Sequence, residues 1–116
     1  MLFRSTVKRI LPARWKRATS AATARTITDF MISVVQNGTG TAARIPGVTV
    51  AGKTGTAQAP GGPPHAWFIA FAPAEAPRFA ISVIIERGGS AGDEATGGRV
   101  AAPVAAKVLR VLLGAP

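Results

Sequence analysis

The sequence predicts an α+β fold, in which a three-stranded antiparallel sheet is flanked by two helices. Apolar residues recur at steps of three and four over roughly 21–36 and again over about 99–113, as in helices with one buried face. Between them lie three extended apolar segments, 48–58, 66–72 and 79–86. The link between the last two is too short for a crossover helix, so an antiparallel connection is expected.

The first helix has sequence signals at both ends. Ser20 is a suitable N-cap, because its hydroxyl can accept from a free amide of the first turn. Asn37-Gly38 predicts a left-handed residue after the last turn. The apolar stripe that should pack on the sheet comprises Ala24, Ile27, Phe30, Met31, Val34 and Val35.

The first strand carries a lysine-threonine-glycine run, "VAGKTGTAQ", at 50–58. Successive side chains of a strand alternate between its faces. Lys53 and Gly55 therefore share one face, and the opposite face is predicted to hold Val48, Val50, Gly52, Thr54 and Thr56. The following "APGGPPH" at 59–65 predicts a break before the next strand.

The second half of the chain predicts two strands, a loop and a helix. Large aromatic residues of the second strand, Trp67, Phe68 and Phe71, are expected to pack between sheet and helix. The glycine-rich stretch 87–98 predicts a flexible polar loop. The closing helix has Pro103 in its first turn and Gly114 behind it. Its apolar stripe is predicted from Val100, Val104, Val108 and Val111.

The charge of the chain is concentrated at its start. Of the 116 residues, 14 are basic and five acidic, giving a formal net charge of +9. Residues 1–25 hold seven of those bases and no acid, which leaves +2 for the remainder. We therefore divide the chain into a basic, poorly ordered arm, 1–19, and a folded part, 20–116. The arm would either lie on an anionic membrane surface or be merely solvated.

Several classes of function are excluded or disfavoured by composition. The absence of cysteine excludes disulfides, thiolate zinc sites and a cysteine nucleophile. His65, expected in a turn ahead of a strand, has no second ligand nearby, and Asp93 and Glu94 are expected to be solvated, so no metal or other cofactor is predicted. With no apolar run long enough for a signal peptide or a membrane span, the chain as written is expected to be cytoplasmic.

A phosphate-binding loop is the first chemical interpretation of the lysine run. Residues 47–54 satisfy the pattern G-x-x-x-x-G-K-S/T. That motif needs a flexible loop after a buried strand and a helix that opens at the lysine. Here the spacer Val-Thr-Val-Ala favours extended structure, and "GTAQAPGGPP" cannot form a helix. Nucleotide binding is therefore not expected.

A second interpretation is one edge of an acyl-transfer site. A serine acyltransferase that acts on a peptide carboxyl terminus needs a cation, a hydroxyl for the carboxylate and a backbone N–H for the oxyanion. Lys53 would supply the cation, Thr54 the hydroxyl and Thr56 the N–H group. Gly55 would let another element approach the strand closely.

The longer pattern has a family resemblance. "NGTGTAARIPGVTVAGKTGTAQ" (37–58), "HAWFIAFAP" (65–73) and "AAPVAAKVLRVLL" (101–113) together resemble the C-terminal part of a penicillin-binding protein transpeptidase domain, of the serine β-lactamase-like fold. The resemblance covers roughly residues 20–113. It implies binding of D-alanyl-D-alanine peptidoglycan stem peptides and β-lactams. It also implies substrate-binding roles for Lys53, Thr54, Gly55 and Thr56, with Lys53 catalytic as well.

The chain departs from that family in its other motifs. No S-x-N sequence is present, and Ser5-Thr-Val-Lys8 is the sole S-x-x-K match. Ser5 is too close to Lys53 to leave room for the second motif, so it is not expected to be the nucleophile. The chain is interpreted as an inactive transpeptidase fragment with an unrelated or truncated leader, from a family that acts at the outer face of the bacterial plasma membrane. The alternative is a small basic binding protein whose arm engages nucleic acid or an anionic membrane. Of these two partners, nucleic acid is disfavoured.

Overall fold

The computed structural model describes residues 11–116. It confirms the predicted α+β fold: one antiparallel three-stranded sheet, in the order β1-β2-β3, with a helix before it and a helix after it. Turns at Thr41–Ala43, Glu86–Glu94 and Gly97–Ala101 lie between these elements. The helices and strands are α1 (Ala21–Asn37), β1 (Ala51–Ala59), β2 (Gly62–Ala72), β3 (Phe79–Ile85) and α2 (Ala102–Leu113).

Helix α1 begins as predicted and ends differently. The Ser20 hydroxyl accepts from the backbone N–H of Thr23 at 3.1 Å, which confirms the N-cap. The predicted left-handed stop is wrong, because Gly38 has φ −108°. The amides of Gly38 and Gly40 both donate to the carbonyl of Val34, and Arg44 Nε donates to Val35 O at 3.2 Å. These donors satisfy carbonyls of the last turn, so no left-handed residue is needed there.

The apolar stripe of α1 is buried only near its C-terminal end. Val35 is buried, whereas Ile27 is 47% and Phe30 68% exposed. The prediction that the whole stripe packs on the sheet is therefore wrong for its first half within the described residues. Residues 11–19, which precede the helix, contain no helix or strand and are exposed.

Strands β1 and β2 form a hairpin where a break was predicted. Gly61 takes a positive φ of 70°, and β2 starts at Gly62, so the predicted break at 59–65 is wrong. The register steps from Ala57↔His65 to Ala59↔Gly62. Pro63 and Pro64 fall in that irregular step and have no paired position, which is how a strand accommodates two residues without N–H groups.

The core lies between one face of the sheet and α2. Phe68 and Leu109 are its largest fully buried side chains. Helix α2 presents small residues to the sheet, with Ala102, Ala105 and Ala106 buried beside Leu109. The predicted valine stripe is wrong, since Val111 is 82% exposed and Val104 and Val108 are also exposed. Alanines on the inner face allow a close approach, which leaves the valines outside.

The stretch before α2 consists of turns. Residues 86–94 form tight turns with Gly88 buried, so the predicted loop is present, and its flexibility stays a prediction. The helix starts at Ala102, because residues 97–101 form a single wider turn whose N-cap, Thr96, accepts from Arg99 N at 3.3 Å. Pro103 in the first turn and left-handed Gly114 at the end are confirmed.

Candidate functional site

Strand β1 presents its lysine on an uncovered face of the sheet. Lys53 is exposed, and its cross-strand neighbour Ile69 is 47% exposed. Gly55 lies opposite Trp67 on β2, and Trp67 is 39% exposed. Within residues 11–116 no helix packs over these exposed side chains, and Lys53 and Gly55 share one face as predicted. The prediction that Trp67 packs between sheet and helix is wrong, whereas Phe68, which follows it, is fully buried.

The backbone of β1 has one side free, because β1 is an outer strand of the sheet. A Cβ added at Gly97 would lie 2.0 Å from Trp67 O and 2.8 Å from both the nitrogen and the oxygen of Gly55, so these three atoms lie close together. The amide and carbonyl of Gly55 therefore face β2. Successive residues of a strand turn these groups to opposite sides, so those of Thr54 and Thr56 face the open edge. Lys53 Nζ donates to Thr54 O at 2.6 Å, which agrees with that orientation.

The side chain of Thr54 meets the turn that follows α1. Its Oγ1 lies 2.7 Å from Oγ1 of Thr39, and either hydroxyl can be the donor. A side-chain carbon added at Gly98 would lie 2.0 Å from the carbonyl oxygen of Thr39 and 3.6 Å from Thr54 Cγ2. The turn after α1, strand β1 and the glycine pair before α2 thus meet at Thr54.

The element that approaches β1 closely is the turn at Gly97. A Cβ at Gly97 would collide with backbone atoms of Gly55 and Trp67, so only glycine fits there. Gly55 itself would tolerate a Cβ, whose nearest neighbour would be Trp67 Cβ at 3.4 Å. The close approach predicted at Gly55 therefore occurs, and the residue whose missing side chain permits it is Gly97.

The geometry of the phosphate-loop match agrees with the expectation that nucleotide does not bind there. Lys53 lies within β1, which continues to Ala59 and turns directly into β2. The lysine does not open a helix, and Gly52 is covered by the ring of Phe68, which would lie 2.4 Å from an added Cβ. The backbone here cannot wrap a phosphate.

Of the other candidate polar residues, His65 is placed differently from its prediction, whereas Asp93 and Glu94 are exposed as expected. His65 belongs to β2 and not to a turn, and its Nδ1 accepts from the backbone N–H of Arg87 at 3.1 Å. Asp93 and Glu94 are both exposed, and Glu94 forms an ion pair with Arg99 at 2.7 Å. In the part of the chain that the structure describes, no three His, Asp or Glu side chains are grouped to hold a metal ion.

A cavity of about 560 Å³ lies elsewhere, between the end of α1, the segment 44–50 and α2. Two arginines line it, Arg44 and Arg110. Arg44 is already bonded to carbonyls of α1, and the cavity does not reach the residues from Lys53 to Thr56. We therefore assign the candidate site to the edge of β1.

Comparison with known proteins identifies the family. The family model of the penicillin-binding protein transpeptidase domain matches residues 6–110. The peptidoglycan D,D-transpeptidase PbpA of Mycolicibacterium smegmatis is 43% identical over 104 residues, which cover 86% of this chain and 21% of PbpA. The PbpA of Mycobacterium tuberculosis is 42% identical over a segment that covers 84% of this chain and 20% of that protein. This chain belongs to the penicillin-binding protein transpeptidase domain family.

Solved structures of penicillin-binding proteins have the same fold. A ceftriaxone acyl-enzyme complex of penicillin-binding protein A from M. tuberculosis is similar with a TM-score of 0.78 and 41% identity, over 85% of this chain and 23% of the other. The transpeptidase domain of FtsI4 from Legionella pneumophila is similar with a TM-score of 0.73 and 39% identity, over 81% of this chain and 36% of the other. The chain thus spans about a fifth of its curated relatives and about a third of one transpeptidase domain.

Membership of the penicillin-binding family confirms the resemblance stated from the sequence. The alternative, a small basic protein that binds nucleic acid or membrane through its arm, has no support among the relatives named here. The family match starts at residue 6 and takes in most of the proposed arm, so the division at residue 19 stays a prediction. Ser5 and Lys8 lie outside the described residues.

Among residues 11–116, every helix falls short of the length and apolar character that crossing a bilayer requires.

Two features of the site were missed by sequence reasoning, namely Thr39 and the Gly97-Gly98 pair. Thr39 was visible as part of the Gly-Thr-Gly-Thr turn that carries the resemblance. The glycine pair was visible as two adjacent glycines before the closing helix. Their contact with β1 depends on folding, and no local pattern reveals it.

Proposed function

We propose that this chain supplies the substrate-binding strand of a penicillin-binding peptidoglycan D,D-transpeptidase. One observation carries the proposal: β1 is an outer strand whose backbone groups at Thr54 and Thr56 face the open edge, beside the exposed ammonium of Lys53. Such an edge can take an extended peptide as a further strand. Its ligands would be D-alanyl-D-alanine stem peptides and β-lactams, at the outer face of the plasma membrane.

Each residue of the run would have a distinct part in acyl transfer. The Lys53 ammonium would attract the substrate carboxylate and stabilise negative charge near the nucleophile. The hydroxyl of Thr54 would donate to the same carboxylate. The outward N–H of Thr56 would donate to the oxyanion that forms when the acyl carbon becomes tetrahedral. Gly55 would leave the open face free of a side chain beside the substrate.

The nucleophile in this proposal is a serine of an S-x-x-K motif other than Ser5. Ser5 precedes Lys53 too closely for the domain arrangement of the family, and the 116 residues contain no S-x-N partner. The chain by itself is therefore expected to form no stable adduct with a fluorescent penicillin. Stoichiometric labelling that disappears in Ser5→Ala would overturn this part of the proposal.

A chimera tests the role of the strand. The whole chain takes the place of the segment that it matches in PbpA of M. smegmatis, and acylation by fluorescent penicillin is measured. We expect Lys53→Met to lower the second-order rate roughly ten- to hundredfold, since a hydrogen bond to a charged group is lost. Lys107→Met, an exposed lysine on α2, is the matched control. Equal rates for the two variants would contradict the proposal.

A further inference from the structure

We propose that Thr39 is a positioning residue for the substrate carboxylate, acting through the hydroxyl of Thr54. This inference rests on the proposed function, and extends it to a residue outside the lysine-threonine-glycine run. Thr39 lies in the turn after α1, 15 residues before Thr54, and the two Oγ1 atoms are 2.7 Å apart. That distance is typical of a hydroxyl–hydroxyl hydrogen bond.

The direction of this bond decides what Thr54 can do. A threonine hydroxyl has one proton and two lone pairs. If Thr54 donated to Thr39, only lone pairs would face a carboxylate, and these repel it. If Thr39 donates, the Thr54 oxygen accepts from it and keeps its own proton for the substrate. An anionic ligand therefore selects the arrangement in which Thr39 donates. The two hydrogen bonds, from Thr39 to Thr54 and from Thr54 to the carboxylate, then polarise each other.

The backbone around Thr39 is held in place by the glycine pair before α2. A Cβ at Gly98 would lie 2.0 Å from the carbonyl oxygen of Thr39, and Gly97 lies against the paired backbone of Gly55 and Trp67. A side chain at either glycine would force the turn away from β1. The two hydroxyls are thus set by contacts of three separate segments, which is the kind of support that a precise binding site requires.

The experiment measures acylation of the same PbpA chimera by two ligands, a penicillin and its methyl ester. Thr39→Val keeps the shape of the side chain and removes its donor. We expect it to lower the rate with the penicillin about three- to tenfold, the usual range for one hydrogen bond. The rate with the ester, which lacks the carboxylate, is expected to stay within about twofold of the parent. Thr39→Ser, which restores a hydroxyl, is expected to recover most of the loss.

Controls separate positioning from packing. Thr41→Val, in the same turn and exposed, is expected to leave both rates unchanged. Thr54→Val is expected to lower the penicillin rate, and adding Thr39→Val to it is expected to cause little further loss, because the two act in series. Additive losses, or an equal loss with the ester, would overturn the inference. If Lys53→Met and Thr54→Val lower the rate while Thr39→Val does not, this inference alone fails; if none of them does, the proposed function fails.

Discussion

The two faces of the sheet are built from similar residues and have opposite surroundings. On β2, Phe68 and its alternate neighbours Ala66 and Ala70 are buried under the helices. Trp67 and Ile69, which interleave with them, are 39% and 47% exposed. Both faces are apolar, so the strand shows no alternation of apolar and polar residues. Strands of that kind occur in sheets covered on both faces.

This difference separates what stabilises the chain from what the chain offers to another molecule. The inner face joins a cluster that includes Val35, Val50 and Leu109, and it accounts for the core. The outer face carries Lys53 among large apolar residues, and an apolar patch of this kind marks an interaction surface. Stability is therefore expected to depend on the inner face, whereas the outer face and the adjoining edge of β1 are available to another molecule.

The largest expected effect is loss of the inner aromatic ring. Phe68→Ala removes a fully buried side chain and leaves a cavity, which should lower the free energy of unfolding by about 3–5 kcal/mol. Trp67→Ala, on the neighbouring residue of the same strand, should cost much less. Urea unfolding followed by circular dichroism measures both. Equal losses for the two variants would mean that the faces are not energetically distinct.

The two glycines of the lysine-threonine-glycine region give a smaller and sharper contrast. A Cβ at Gly52 would lie 2.4 Å from Cζ of the buried Phe68, so Gly52→Ala should destabilise by roughly 1–3 kcal/mol through overpacking.

Gly55→Ala adds the same atom on the open face, 3.4 Å from Trp67 Cβ. Because alanine restricts the unfolded chain more than glycine does, this change should be neutral or stabilise by up to about 1 kcal/mol. The midpoint of thermal unfolding should therefore fall in Gly52→Ala and stay level or rise in Gly55→Ala. A large destabilisation by Gly55→Ala would contradict the position assigned to its Cβ.

These contrasts also show how far the sequence could predict the structure. The period of two in β1 was sufficient to place Lys53 and Gly55 on one face and Gly52 on the other. The same reasoning misplaced Trp67, because an apolar run on both faces carries no information about which face is covered. The hairpin was missed because Pro63 and Pro64 suggest a break, and only the irregular pairing with β1 explains how a strand contains them.

The candidate site was predictable to a similar extent. Lys53, Thr54, Gly55 and Thr56 stand together in the sequence, so their resemblance to a family motif could be recognised. The hydroxyl of Thr39 and the backbone of Gly97 reach the same place through tertiary packing. Contacts between distant segments leave no periodic signal, and a pair of glycines in a polar stretch looks the same whether it clamps a strand or forms a loop.

The smallest expected effect on stability comes from charging the open face. Ile69→Lys places an ammonium beside Lys53 on an exposed position, so the free energy of unfolding of the monomer should change by no more than about 0.5 kcal/mol. Self-association through that face, which its apolar area favours, should weaken about tenfold, since a lysine there must be desolvated against a second copy. Sedimentation velocity over a range of concentrations measures this. Val111→Lys, on the outer side of α2 at 82% exposure, is the matched control. If Val111→Lys abolishes association and Ile69→Lys leaves it unchanged, the interaction surface belongs to the helix, and the open face of the sheet does not drive assembly.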